Sequence, residues 1–411
     1  MGYIINSDVT LKSTNQLDAF GRLRVSQPVT LFDSQQRFGL HEAFVSNTAT
    51  SGSITYIPTQ SSCNLTVVNS TGSFAARESG YIFQYQPGKS LLTLMTFVMA
   101  PASSGNLRQR VGYFGTDNGF YLELSNALYI VRRSNVTGTV SNTLVSRPTW
   151  NGDQLDGTGA SGYTLDITKA QIFWSDIEWL GVGDVRCGFI LDGKFITAHT
   201  FKHANIASSA YMTTACLPIR YEIQSLGSGG PATSNLTQIC SSVISEGGQN
   251  QPLRLFSNLH TFSKTVGANT WVPIMSLQLA SGKLDAIAQI KQVEILLSSA
   301  DTLQWALWSN VTAANLTGES FSLGSPSMTV QVDRASTAID VTYGRQIAGA
   351  IVSNSVLNAP VGGIAELGAY FAQISRNSFT QTSDIFSLCL FSDVSASTVT
   401  GTALLSWQEI L

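Results

Sequence analysis

Residues Cys216 to Gly248 read Cys-Leu-Pro-Ile-Arg-Tyr-Glu-Ile, then, after Gln224, a Ser/Gly/Pro run from Ser225 to Ser234, then, after Asn235, Leu-Thr-Gln-Ile-Cys-Ser-Ser-Val-Ile-Ser-Glu-Gly-Gly. Ile219, Tyr221 and Ile223 alternate with Arg220 and Glu222, the period-two pattern of a half-buried strand. Leu-Gly-Ser-Gly-Gly-Pro holds no regular structure, so the chain turns there. Leu236 to Ile244 is β-like again and ends at Gly247-Gly248. Strand patterns fill the chain on both sides of this stretch. It is read as the last strands of one β-domain leading into a second.

Working outward, Ser53–Ile57, Leu65–Val68, Gly80–Tyr85, Ser90–Met99, Gln109–Phe114, Phe120–Leu124 and Ala127–Arg132 carry β-branched, aromatic or alternating patterns between Gly, Asn, Asp and Ser. Leu91 to Met99 is nearly continuously apolar, as expected of a strand buried on both faces. Phe189-Ile-Leu-Asp-Gly-Lys-Phe195-Ile predicts a hairpin, because Asp192-Gly193 supplies the positive φ angles of a type I′ turn. Beyond residue 253 strands recur through Leu253–Phe262, Thr270–Leu279, Gln289–Leu297, Leu303–Trp308, Ser327–Val332, Ile339–Val341, Ile347–Val352, Ala369–Ile374 and Ile385–Phe391. Lys283–Ile290 is the one short helical candidate. The expected fold is all-β: two jelly-roll-like β-sandwich domains in tandem, residues 41–224 and 253–411, joined by a connector at 225–252 and preceded by an extended arm at 1–40.

A chain of 411 residues is long enough for two or three cores. Charged residues are only 12 %, against about 25 % in ordinary globular domains. The polar surface therefore comes from Ser, Thr, Asn, Gln and Gly, a profile that suits β-proteins packed against neighbours in an assembly. A net charge of −3 with no basic block gives nothing to draw the chain to nucleic acid. No apolar run approaches the roughly 18 residues of a membrane span, and the first residues lack the pattern of a signal peptide. Cys63, Cys187, Cys216, Cys240 and Cys389 are scattered and read as small buried hydrophobes in a reducing cytoplasm. The sequons at Asn64, Asn69, Asn135, Asn235, Asn310 and Asn315 read as by-products of an Asn/Ser/Thr-rich composition.

Three strings carry a family resemblance. The first is Asp18-Ala-Phe-Gly-Arg-Leu-Arg-Val-Ser-Gln-Pro-Val-Thr-Leu-Phe-Asp-Ser-Gln. The second is Trp150-Asn-Gly-Asp-Gln-Leu-Asp-Gly-Thr-Gly-Ala-Ser-Gly-Tyr-Thr-Leu-Asp166, running on to Asp176-Ile-Glu-Trp-Leu-Gly-Val-Gly183. The third is Ile219-Arg-Tyr-Glu-Ile223 with Gln238-Ile-Cys-Ser-Ser-Val-Ile-Ser-Glu-Gly-Gly248. Together with Trp305-Ala-Leu-Trp-Ser-Asn310, they resemble virion structural proteins of tailed phages, especially aquatic and marine ones. The central sandwich also resembles a concanavalin or laminin-G jelly roll, which implies glycan contact by analogy of fold.

The loop Trp150–Asp166 is the most unusual segment. It gathers Trp150, Asn151, Asp153, Asp156, Tyr163 and Asp166 among glycines. Short carboxylates, amides and aromatic platforms suit sugar or calcium; the simpler reading is a loop whose Asp side chains cap its own turns. The arm offers Phe20, Arg22, Arg24, Phe32, Arg37 and Phe38 as docking residues, or else it is a first strand folded onto the next domain. His199 and His203 lie about 13 Å apart along a strand, too far for one metal ion. Asp176 and Glu178 share a strand face near Trp174 and Trp179. Paired acids of this kind suit a glycoside hydrolase, while the simpler reading is two acids beside Arg186 or Lys169. No catalytic residues, metal or cofactor are assigned. The expectation is a non-enzymatic virion protein, assembled in the host cytoplasm, that self-associates, with a trimer expected. It would dock on capsid or tail proteins as a decoration, spike or fibre component, with no nucleic-acid or membrane partner. A receptor-binding protein for host surface polysaccharide is the first alternative, and a polysaccharide-degrading tail enzyme is the second.

Overall fold

The computed structural model describes residues 26–102, 106–227, 232–247, 254–299, 302–342, 344–353, 373–393 and 397–410. Two antiparallel sheets form the first sandwich. One runs Lys194–Phe201, Val185–Leu191, Gln171–Ile177, Leu91–Val98, Thr233–Glu246, Ser62–Val68, Ser53–Ile57. The other runs Ser141–Ser146, Leu128–Ser134, Gly119–Leu124, Leu107–Phe114, Ile219–Ser225, Phe74–Ser79, Phe44–Ala49. Their inward residues close one core that includes Leu65, Phe97, Tyr113, Phe173, Phe189 and Tyr221. The Tyr221 hydroxyl donates to the Cys240 carbonyl at 3.0 Å and so ties one sheet to the other.

The opening stretch is the hub of this sandwich. Ile219–Ser225 sits between Phe74–Ser79 and Leu107–Phe114. Thr233–Glu246 pairs with Leu91–Val98 along one edge, and with Ser62–Val68 and Pro28–Gln35 along the other. Residues 233–246 are therefore a sandwich strand rather than a connector; residues 228–231, the centre of the expected turn, lie outside the described residues. The half-buried reading of Ile219–Ile223 is corrected too, since Arg220 and Glu222 are 7 % and 5 % exposed. The Asp192-Gly193 hairpin forms as expected: Leu191 pairs with Lys194, and the turn residues have φ of +49° and +74°. Leu91–Val98 departs from expectation. Leu91, Met95 and Phe97 are buried, but Leu92, Leu94, Thr96 and Val98 face a half-open outer surface.

From Pro28 onward the expected arm is a strand of the first sandwich. Phe32 is buried, 5.7 Å from the Phe44 ring and 5.3 Å from that of Phe83. Ser34 shares a 2.6 Å hydrogen bond with Ser241. Phe38 stays exposed with the Arg37 guanidinium 5.2 Å over its ring. Phe20, Arg22 and Arg24 lie outside the described residues.

The second sandwich stacks Arg254–Val266, Ser397–Ile410, Ile287–Leu297 and Gln373–Ile374 on a six-stranded sheet. That sheet runs Ser322–Leu323, Val330–Asp333, Thr270–Leu279, Ile385–Ser392, Thr302–Val311, Arg345–Ser353. Trp407, Met275, Val293 and Leu388 lie in its core. The helix expected at Lys283–Ile290 is absent: Ser281–Lys283 makes a single 3-10 turn and Ile287 already begins a strand. Pairing of Ile287–Leu297 with Ser397–Ile410 outweighs a weak local helix preference.

The sandwiches touch through Ile82, Cys216 and Ile287, with Ile410 packed on them. Ser378 donates to Glu78 at 2.6 Å, and Arg376 pairs with Asp285 at 2.9 Å while donating to the Cys216 carbonyl at 3.2 Å. Beside them a cavity of about 270 Å³ is lined by Glu42, Glu78, Arg345 and Asp384 among others. Burial pushes the Asp384 carboxyl up to about 7, against a weaker downward pull from Ser375. A raised carboxylate pKa favours the fold below the ordinary value near 3.8, and the contribution fades as pH rises through about 7. Thermal stability followed from pH 4 to 8 is expected to fall across this window. Asp384→Asn should flatten the slope and stabilise the chain at pH 8; an unchanged slope would remove Asp384 as its source.

Candidate functional site

The loop Trp150–Asp166 is organised by its own hydrogen bonds. Gly152 and Asp153 donate their amides to the Ala198 and Thr197 carbonyls, both at 2.9 Å. A Cβ at Gly152 would lie 2.3 Å from the Thr197 carbonyl oxygen, so only glycine allows this approach. The Asn151 amide clamps both backbone groups of Thr200, at 2.9 and 2.8 Å. Asp153 accepts from the Leu155 and Ser161 amides at 2.8 and 2.7 Å. Burial pushes its carboxyl up, yet those amides pull it below the usual range. Asp156 and Asp166 each accept from a threonine two residues on, Thr158 and Thr168, and those bonds lower both carboxyls. Tyr163 reaches across to donate to Asp192 at 2.7 Å.

The structure thus brings these six residues into one loop without converging them on one point. Trp150 is 3 % exposed, packs 6.3 Å from Phe189, and donates its indole N–H to the Val145 carbonyl at 3.1 Å. It is a core residue, which corrects its reading as a platform for a sugar ring. Among the described residues no three His, Cys, Asp or Glu side chains gather where a metal could sit. His199 accepts from the Asn151 backbone N–H, and His203 stacks 3.9 Å from Tyr211 while bonding the Gly183 carbonyl. Burial lowers both imidazoles.

The acids on Gln171–Ile177 stand elsewhere, on the outer face of the eight-stranded sheet. Phe173 and Ile177 point into the core, so Trp174 and Asp176 point away, and Glu178 follows the strand into the same region. Asp176 is ion-paired across the ladder with Arg186. Phe195 covers Trp174 at 5.5 Å. A recess of about 410 Å³ collects Tyr85, Lys89, Asp176, Glu178, Asp184 and Arg186. Asp176 is spent on a cross-strand ion pair.

Sequence reasoning missed a charge ladder on the outer face of the seven-stranded sheet. Arg110 pairs with Glu123 at 2.7 Å and Glu222 at 3.1 Å. Arg220 pairs with Glu222 at 2.9 Å and Glu78 at 3.6 Å. All five side chains are less than a tenth exposed. Phe379 of the second sandwich covers Arg220, 4.4 Å from the guanidinium to the ring centre. The signal was available as opposite charges that face each other across neighbouring strands, Arg110 between Glu123 and Glu222 and Arg220 beside Glu78, but it requires knowing which strands pair.

No protein-family model matches the chain, and no curated protein matches it. Solved structures similar to it include an endo-β-1,4-glucuronan lyase from the fungus Trichoderma reesei. It is 10 % identical with a TM-score of 0.36, over 54 % of this chain and 96 % of that one. The CBM2 module of the evolved Dit of Lactobacillus casei BL23 phage J-1 is 7 % identical with a TM-score of 0.36, over 56 % and 100 %. Peanut lectin is 13 % identical with a TM-score of 0.29, over 55 % and 100 %. At these values the likeness carries no chemistry across, and the β-sandwich assignment rests on the strand order of the chain itself.

Proposed function

We propose that the chain is a non-enzymatic structural protein of a tailed-phage particle. In this reading it self-associates, with a trimer as the working state, and docks on capsid or tail proteins. The observation that supports it most is the outer face of the four-stranded sheet. Leu255, Leu259 and Leu296 are 69 %, 63 % and 61 % exposed. The ladder sets Leu259 opposite Leu404, and Thr402 opposite both Thr261 and Leu296. The face is leucine- and threonine-covered, and carries Glu294 as its lone charge among these positions. A face of this kind is stabilised when a neighbouring copy covers it. Light scattering at micromolar concentration should show an oligomer. Leu259→Glu with Leu296→Glu should give a folded monomer that melts below the wild-type oligomer, at a temperature independent of protein concentration. A wild-type chain that is monomeric under these conditions would overturn the reading.

A further inference from the structure

An outermost β-strand presents a row of unpaired backbone N–H and C=O groups, and natural sheets keep such edges short, charged or covered. Most margins of this chain follow that rule. Ser322–Leu323 and Gln373–Ile374 are two residues each, and Phe44–Ala49, Ser53–Ile57 and Ser141–Ser146 are five or six. Register shifts interrupt the pairing of two longer ones, Lys194–Phe201 and Arg345–Ser353. Arg254–Val266 breaks the rule. It is thirteen residues long, holds no proline or glycine, and pairs with Ser397–Ile410 in unbroken register from Arg254 opposite Glu409 to Val266 opposite Ser397. On its other side, among the described residues, no strand pairs with it and no backbone hydrogen bond reaches it. Its two cations give little protection. Arg254 stands at the very end, and Lys264 turns its ammonium onto the Arg334 and Ser336 carbonyls at 3.3 and 2.6 Å.

A second copy of the same edge is the strand that fits. Alternate side chains from Leu255 to Thr265 stand exposed on the outer face of the sheet, with Leu255 and Leu259 at 69 % and 63 %. When two identical strands pair antiparallel about a twofold axis, residues equally far on either side of the axis face each other. An axis at Ser257 sets Leu255 of each copy against Leu259 of the other. Directly opposed side chains lie about 4.5–5.5 Å apart at Cβ, so leucines that are exposed in a single copy close into one cluster. The same register opposes Arg254 with His260, whose imidazole burial holds below its ordinary value, so no second cation meets Arg254. An axis at Leu259 is disfavoured, because it sets Arg254 against Lys264, and like charges directly opposed destabilise a ladder. Pairing at Ser257 also continues the leucine- and threonine-covered face across both copies.

We infer that the edge Arg254–Val266 pairs antiparallel with the same edge of a second copy about a twofold axis at Ser257, joining two four-stranded sheets into one. The inference rests on the self-association proposed above and adds a twofold contact that links trimers in pairs. The test is Ser257→Cys in the full chain, with Ser263→Cys as its control. Both positions are exposed, and the native cysteines are buried apart from the half-buried Cys240. The two Ser257 positions meet at the axis, within the ~4.4–6.8 Å Cα separation of a disulfide. The two Ser263 positions stand about 40 Å apart along the ladder. Under mild oxidation Ser257→Cys should form the intermolecular disulfide roughly tenfold faster than Ser263→Cys, since pairing raises the effective thiol concentration. Ser257→Lys puts two like charges on the axis and should halve the particle mass seen by light scattering, with circular dichroism unchanged. An oligomeric wild type whose Ser257→Cys variant gives no faster disulfide, or whose Ser257→Lys variant keeps full mass, overturns the edge pairing and leaves the self-association standing. A monomeric wild type overturns both.

Discussion

Replacing Glu222 by leucine is expected to lower the stability of the first sandwich by about 3–5 kcal/mol. Glu222 bridges Arg110 and Arg220 on a strand buried on both faces, at 3.1 and 2.9 Å. Removing one member of a buried ion network leaves its partners desolvated and under-compensated, which is why the effect exceeds that of a surface pair. Burial alone would push the Glu222 carboxyl up. Arg220, Arg110, Arg108 and Arg133 together overcome it and hold the group below its ordinary value of 4.5. A depressed carboxylate contributes stability above the unfolded pKa and loses it as pH falls through the folded one. The wild type should therefore lose this contribution below about pH 4.5, and the Leu variant has none to lose there. Glu78 runs the other way: burial outweighs Arg220 and Ser378 and raises it, so its own contribution is largest in acid. Denaturant unfolding at pH 7 and pH 4 checks both signs. A loss under 1 kcal/mol at pH 7 would mean that the ladder is electrostatically neutral to the fold.

The all-β class and most strand positions were legible in the sequence because period-two alternation and Asp-Gly turns are local signals. The Asp192-Gly193 hairpin is the clearest case, since its two positive φ angles are dictated by the residues themselves. Pairing over long distance was not legible. Nothing local says that Pro28–Gln35 lies beside residues 240–246, two hundred positions away. Nothing local says that Phe379 closes over Arg220. For the same reason Arg220 and Glu222 were read as solvent-facing, since alternation marks a polar face without saying what covers it. The loop Trp150–Asp166 shows the complementary limit. Its composition was noticed correctly, yet the same Asp side chains serve as turn caps, Asn151 ties the loop to the Thr200 backbone, and Trp150 goes to the core.

Trp407→Ala is expected to cost about 3–5 kcal/mol and to unfold the second sandwich ahead of the first. Trp407 is fully buried, its ring stacked 6.2 Å from Phe256. Its indole donates to Glu409 at 3.1 Å. Glu409 is itself 1 % exposed and accepts from the Thr329 and Val330 amides. The substitution therefore opens a cavity and removes one of the donors that hold a buried carboxylate. The two sandwiches have separate cores, joined by a small apolar contact at Ile82, Cys216 and Ile287 and by a few polar bonds. Damage confined to one core should split a scanning-calorimetry trace into two transitions, with the later one near the wild-type temperature. Trp407→Phe fills most of the volume without the donor, so the difference between the variants separates packing from the Glu409 bond. A single transition that shifts as a whole would show instead that the inter-sandwich contact couples the two cores into one unit.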